Sequence, residues 1–106
     1  MRIDVAALAA ALLIAAIAQA HADDVTVYQE GKKFSESEVT VKVGETVTYT
    51  NKDPVTHNVF SNTPDMSFDL KTQKPGESTT ISFDHAGLVT VHCAIHPQMV
   101  MTVKVQ

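Results

Sequence analysis

From residue 25 onward, the chain is a series of short segments in which apolar and polar residues alternate. These segments are rich in Val, Thr and Tyr, and Gly, Pro, Asn and Asp interrupt them. Such alternation predicts half-buried β-strands, and no segment after residue 22 has the apolar spacing of a helix. The predicted strands are Val25–Tyr28, Val39–Val43, Thr46–Asn51, His57–Phe60, Ser67–Leu70, Ser78–Phe83, Leu88–Cys93 and Val100–Val105.

Short strands at this spacing favour one all-β domain, a two-sheet antiparallel sandwich. Turn residues separate the strands, as in Lys52-Asp53-Pro54 and Lys74-Pro75-Gly76. Because side chains alternate between the two faces of a strand, one set in each of the last two strands must face the core. The residues predicted to face inward are Val89, Val91, Cys93, Met101, Val103 and Val105.

Residues 1–22 have the organisation of a secretory signal peptide, which is removed before folding. Arg2 precedes an uninterrupted apolar run over residues 5–18, and small residues end the segment at Ala20 and Ala22, after either of which cleavage is expected. A membrane anchor is the alternative, but the run is short for a span, which needs about 20 residues. We therefore expect a periplasmic protein with one domain over residues 23–106 and no membrane association after cleavage.

The formal net charge is −4, and no basic patch or run is present. Nucleic acids and anionic membrane surfaces are therefore poor candidates as partners. A mildly acidic surface would suit a basic docking partner, and we expect the protein to be a monomer.

The segment VHCAIHPQMVM, residues 91–101, contains the only cysteine, two of five histidines and two of four methionines. An exported domain of this size usually contains paired cysteines or a metal, and Cys93 has no partner for a disulfide. Cys93 could simply be a small buried apolar residue. The crowding of sulfur and imidazole donors around it favours a metal ligand instead.

One metal ion could bind Cys93, His96 and Met99 only if the chain curls between them. Fully extended, Cys93 and Met99 would lie roughly 20 Å apart, but Pro97 and the position between two strands permit a loop. His57, which follows a turn, is the candidate donor from elsewhere in the chain. Two imidazoles, a thiolate and a weak thioether are typical of a blue-copper electron-transfer site. Four protein donors leave no open position for substrate, which argues against an enzyme.

Other assignments compete with this one. Met101 could replace Met99, but its alternation with Val103 and Val105 already explains it as a core residue. Zinc could bind the cysteine and the histidines, although methionine is a poor zinc ligand. His92 should point away from Cys93 because it is its neighbour in a strand, and His85 lies at the opposite end of that strand. Met66 and Phe68 are interpreted as packing residues.

The chain resembles the cupredoxins, in particular the amicyanin and plastocyanin-like proteins. The resemblance rests on VTVKVGETVTYTNKDPVTHNV, on KPGESTTISFDHAGLVTVHC and on the spacing C-x2-H-x2-M. It implies an eight-stranded Greek-key sandwich in which one type 1 copper ion is bound by His57, Cys93, His96 and Met99. It also implies that Asn58 braces the cysteine loop. The chain departs from amicyanin-like loops at Ile95, where proline is frequent, and at Gln98, where a bulkier apolar residue is frequent.

These observations predict a periplasmic one-electron carrier that forms transient complexes with redox partner proteins. His96 would reach the surface within an apolar patch of Pro54, Ile95 and Pro97. The alternative function is a periplasmic copper chaperone or copper-tolerance protein that uses the same ligands. A copper oxidase or reductase is disfavoured because the site is closed and the chain is too short for a second copper domain.

Overall fold

The computed structural model describes residues 24–106, and the predicted signal peptide lies outside this range. The described chain contains eight strands and no helix. The all-β prediction is therefore confirmed. The strands are β1 (Asp24–Gln29), β2 (Glu38–Val41), β3 (Thr46–Asn51), β4 (His57–Ser61), β5 (Phe68–Gln73), β6 (Ser78–Ser82), β7 (Gly87–His92) and β8 (Val100–Val105).

The strands form two sheets packed as a sandwich. One sheet has the order β1-β3-β6, and the other has the order β2-β8-β7-β4-β5. The expectation of a purely antiparallel sandwich is wrong at two pairings, because β1 pairs with β3 and β2 with β8 in parallel. For β1 and β3 the reason is topological: β2 lies in the second sheet, so the chain reverses twice before β3 returns beside β1.

Strand β5 differs most from its prediction, since it continues to Gln73 through the polar residues Lys71 and Thr72. Pairing with β4 explains the extension, because His57 is opposite Gln73 and Asn58 is opposite Thr72. Pairing with β4 holds Thr72 and Gln73 in the strand even though this segment does not alternate between apolar and polar residues, whereas Lys71 has a positive φ of 66°.

The core lies between the two sheets and consists mainly of valines. All six residues predicted to face inward from the last two strands are at most 3% exposed. Tyr49 is fully buried among them, and burial raises the pKa of its phenol. The main core cluster is Val27, Val41, Val47, Tyr49, Val59, Phe83, Val89, Val91, Met101, Val103 and Val105.

Four loops meet at one end of the sandwich, which we call the ligand end: residues 30–37, 52–56, 74–77 and 93–99. The strand pairings place them together, since His57 at the start of β4 is opposite Gln73 at the end of β5. At the same end, His92 closes β7 opposite Val100, the first residue of β8. All of the predicted metal ligands therefore belong to one end of the molecule.

No helix in residues 24–106 has the length and apolarity needed to cross a lipid bilayer.

Candidate metal centre

His57 is the first residue on the inward face of β4. Val59 and Ser61 follow it on that face and are also buried. The β4–β5 register shifts between Asn58 and Phe60 because β5 has one extra residue there, next to the positive φ of Lys71. Alternate side chains of a strand share one face, so the inward position of His57 follows from the regular alternation of β4, and the bulge lies in the partner strand. His57 is fully buried.

The segment from Cys93 to Met99, which we call the cysteine loop, folds back on itself. The backbone N–H of Cys93 donates to the carbonyl of Met99 at 3.3 Å, and the N–H of Met99 donates to the carbonyl of His96 at 2.9 Å. These bonds close the loop that the sequence required. Cys93 and Met99 are each only 1% exposed.

Three predicted donor atoms converge between β4 and the cysteine loop. The Sγ of Cys93 lies 3.9 Å from Nδ1 of His57 and 3.8 Å from Nδ1 of His96, and the two nitrogens are 3.1 Å apart. In a trigonal site with metal–nitrogen bonds of about 2.0 Å and metal–sulfur bonds of about 2.3 Å, these separations would be about 3.7 Å for S to N and about 3.5 Å for N to N. The three side chains therefore fit a single metal ion. Within the described residues, they form one group with spacing suited to a metal.

The two candidate methionines have different surroundings. Met101 belongs to the core cluster, where its Sδ accepts a hydrogen bond from the hydroxyl of Tyr49 at 3.7 Å. Met99 is buried as well, but it lies in the cysteine loop and outside that cluster. This placement favours Met99 as the thioether donor.

Asn58 links β4 to the cysteine loop at the sulfur. Its backbone N–H points at Sγ of Cys93 at 3.4 Å, and its Oδ1 accepts from the N–H of Ala94 at 3.3 Å. Its Nδ2 donates to Asp69 at 2.9 Å. Hydrogen bonds from the N–H of Lys71 and from Asn58 hold the pKa of Asp69 below its ordinary value. The bracing role expected for Asn58 therefore has a structural basis.

Sequence reasoning missed Asp53, which it interpreted only as a turn residue. Its Oδ2 lies 2.6 Å from Nε2 of His57, on the side of the ring away from the other donors. Burial alone would raise the pKa of Asp53, but hydrogen bonds from His57, Lys32 and Gly31 and the charge of His57 outweigh it and lower this pKa. The available signal was an acidic residue four positions before a candidate ligand.

His96 lies at the boundary between the site and solvent. It is half-buried, whereas Pro54 and Pro97 are exposed and Ile95 is 48% exposed. Partial desolvation, followed by the positive charges of His57 and Lys32, lowers the pKa of His96. A neutral imidazole is the form that ligates a metal.

The remaining candidates lie outside the donor group. His92 points away from Cys93, as predicted, and stacks on Phe60 with ring centroids 5.4 Å apart, so it is half-buried. His85 is exposed in the turn before β7. Met66 and Phe68 pack against the core, as predicted.

A network of buried amides lies beneath the ligand end. The Nδ2 of Asn51 donates to the carbonyls of Val55 and Gln73 at 2.8 and 2.9 Å, and its Oδ1 accepts from the N–H of Asp53 at 2.8 Å. Gln73 in turn accepts from Nε2 of Gln29. This network holds the loop that carries Asp53 in a defined position.

Comparisons with known proteins agree with this geometry. The model of the copper-binding proteins of the plastocyanin/azurin family matches residues 21–106. The plastocyanin of Scenedesmus fuscus is 35% identical over 72 residues, which cover 59% of this chain and 74% of that protein. The amicyanin of Paracoccus versutus superposes with a TM-score of 0.73 at 33% identity, covering 84% of this chain and 87% of the other. A copper-containing nitrite reductase of Thermus scotoductus superposes with a TM-score of 0.74 at 25% identity, but the match covers only 26% of that chain and 86% of this one.

The chain belongs to the plastocyanin/azurin family of copper-binding proteins. It is therefore a cupredoxin, a class of copper-binding electron-transfer proteins, and its cofactor is copper.

Proposed function

We propose that the protein is an exported, monomeric one-electron carrier whose type 1 copper ion is held by His57, Cys93, His96 and Met99. The observation that carries this proposal is the convergence of Sγ of Cys93 and the Nδ1 atoms of both histidines within 4.8 Å of one another. When bound, copper supplies a couple that exchanges one electron. The predicted signal peptide over residues 1–22 is the basis for proposing export to the periplasm.

The donor set suits such a couple because it contains ligands preferred by each of the two oxidation states of copper. Sulfur donors favour Cu(I), and imidazole nitrogens suit Cu(II). The protein holds its donors with hydrogen bonds at Cys93, Met99 and Asn58 that do not depend on the ion. A rigid site of this kind limits the rearrangement that accompanies electron exchange.

The partial exposure of His96 defines the proposed route for the electron. His57 is fully buried behind Asp53, whereas His96 is half-buried beside the exposed residues Ile95 and Pro97. A redox partner that docks at this surface would approach the site most closely through the His96 ring. Small contacts of this type dissociate quickly, which a carrier needs.

The visible spectrum of the Cu(II)-loaded protein tests the ligand set. We expect an intense thiolate-to-copper band that is lost in Cys93→Ser, together with a reversible one-electron wave in voltammetry. Thr90→Ser, a change on the outer face of β7, is the control and should retain both properties. A wild-type protein that binds copper without the band would contradict the proposal.

A copper chaperone or copper-tolerance protein is the second candidate function, because the same three donor atoms would also retain Cu(I). Copper transfer separates the two functions. A carrier keeps its ion through repeated oxidation and reduction, whereas a chaperone releases Cu(I) to an acceptor of comparable affinity.

An enzymatic role has less support. The chain matches about a quarter of the nitrite reductase, and buried Met99 lies in the same loop as Cys93 and His96. We therefore propose that the purified protein does not reduce nitrite by itself, and turnover in an assay without partner proteins would overturn this statement.

A further inference from the structure

The two ring nitrogens of His57 face different chemical groups. Nδ1 points at Cys93 and His96, and Nε2 lies 2.6 Å from the carboxylate of Asp53. Which nitrogen of an imidazole carries the proton is set by the hydrogen bond that the other nitrogen makes. A carboxylate accepts but does not donate, so the proton of His57 belongs on Nε2 and the lone pair on Nδ1.

The carboxylate of Asp53 is itself held in place by the backbone. Its Oδ1 accepts from the N–H of Gly31 at 2.6 Å, and its Oδ2 accepts from the N–H of Lys32 at 2.9 Å. Gly31 and Lys32 both have positive φ values, 66° and 56°. Consecutive N–H groups at such a turn point toward a common anion, and this loop is therefore shaped to receive a charged carboxylate.

Because Asp53 is buried, its charge interacts strongly with His57. Asp53 is 6% exposed and His57 is fully buried, so little water screens the interaction between them. A carboxylate that accepts from a metal-bound histidine raises the basicity of that ligand. The negative charge also favours the more positively charged, oxidised state of the ion.

We propose that Asp53 is a positioning residue that fixes the tautomer of His57 and lowers the reduction potential of the copper site. This inference depends on the proposed function, in which His57 is a copper ligand. Asp53 would act through His57, which it contacts at Nε2 and not at the nitrogen that would hold copper.

Nuclear magnetic resonance of the metal-free protein tests the tautomer independently of copper. Imidazole ¹H–¹⁵N correlation spectra should show His57 protonated at Nε2, with slow exchange of that proton, and His96 donating from Nδ1. In Asp53→Ala, the preference for Nε2 and the slow exchange should both be lost. A wild-type His57 protonated at Nδ1 and bare at Nε2 would overturn the proposal.

Voltammetry of the copper-loaded protein tests whether the charge of Asp53 lowers the reduction potential. Mutating a residue that hydrogen-bonds to a metal ligand typically changes metal affinity by 10- to 100-fold. If Asp53→Asn weakens Cu(II) binding by about tenfold relative to Cu(I), the potential rises by about 59 mV. Glu30→Gln is the charge-matched control, because Glu30 is exposed in the same loop as Gly31, and it should shift the potential much less.

Equal shifts in Asp53→Asn and Glu30→Gln would show that only net charge matters, and the proposal would fail. Absence of the thiolate-to-copper band in the wild-type protein would instead contradict the proposed function. In that case, the spectra of the metal-free protein still decide whether Asp53 sets the tautomer of His57.

Discussion

At the scale of single residues, the side chains of the ligand end perform separable tasks. His57, Cys93 and His96 present donor atoms. Asp53 contacts the second ring nitrogen of His57, and the N–H of Asn58 points at the sulfur of Cys93. Asn51 supports the loop that carries Asp53. Substitutions at these positions should therefore affect different properties of the protein.

The two buried methionines should respond differently to substitution. Met99→Gln should change the visible and electron paramagnetic resonance spectra of the Cu(II) protein strongly, because an amide oxygen replaces the proposed thioether donor. Met101→Leu should preserve the spectra and destabilise the fold by less than about 1.5 kcal/mol, because the volume is conserved. The opposite pattern would assign the axial position to Met101.

Asn51→Ala should destabilise the protein by about 3 kcal/mol, measured as the free energy of unfolding in urea. The substitution leaves the carbonyls of Val55 and Gln73 and the N–H of Asp53 without their buried partner. Asn62→Ala is the control, because Asn62 is exposed in the loop after β4 and should change stability by less than about 0.5 kcal/mol. Equal effects would show that the Asn51 network contributes little.

At the scale of secondary structure, β8 shows how alternation positions the site. It lies between β2 and β7, and Met101, Val103 and Val105 face the core while Val100 and Lys104 face solvent. Shifting the register by one residue would exchange these faces. The alternation therefore also sets where the cysteine loop, which connects β7 to β8, begins and ends.

Val103→Ala should cost about 2 kcal/mol, the expected loss for removing buried methyl groups from a fully packed site. Lys104→Ala, one residue later on the exposed face, should stay within about 0.5 kcal/mol of the wild type. Chemical denaturation of both variants measures the difference. A larger effect at Lys104 would mean that the faces of β8 are assigned incorrectly.

At the scale of the whole molecule, the metal centre joins loops that are far apart in the sequence. β4 supplies His57, the β7–β8 connection supplies Cys93 and His96, and the β1–β2 connection contacts Asp53. A ligand that binds only the folded state stabilises it by mass action. Copper should therefore act as a link between these three segments.

Loading the protein with Cu(I) under anaerobic conditions should raise its melting temperature. At a free ion concentration of about 100 times Kd, the gain is about 2.7 kcal/mol, or roughly 10–20 °C for a domain of this size. Scanning calorimetry of Cys93→Ser provides the comparison, because losing the thiolate should remove most of the rise. If the variant gains as much as the wild type, copper stabilises the protein at another place.

Much of the architecture was accessible from patterns along the chain. Alternation predicted both faces of β7 and β8, and the bounds of β3 and β8 agree with the predictions. The donor types and their spacing identified the residues that converge at the ligand end. The prediction failed where hydrogen bonding between strands outweighs local character, as in the polar second half of β5 and the two parallel pairings.

The amino-acid pattern was sufficient for the strands, the inward faces and the chemical nature of the donors, because each depends on residues that are neighbours in the chain. The bulge in β5 at Lys71, the contact between Asp53 and His57 and the loop that receives the Asp53 carboxylate emerged only from the folded molecule. Each of these features depends on which distant backbone groups meet when the two sheets close over the core. Local propensity contains no information about these contacts, because the packing of the whole sandwich determines which distant groups come together.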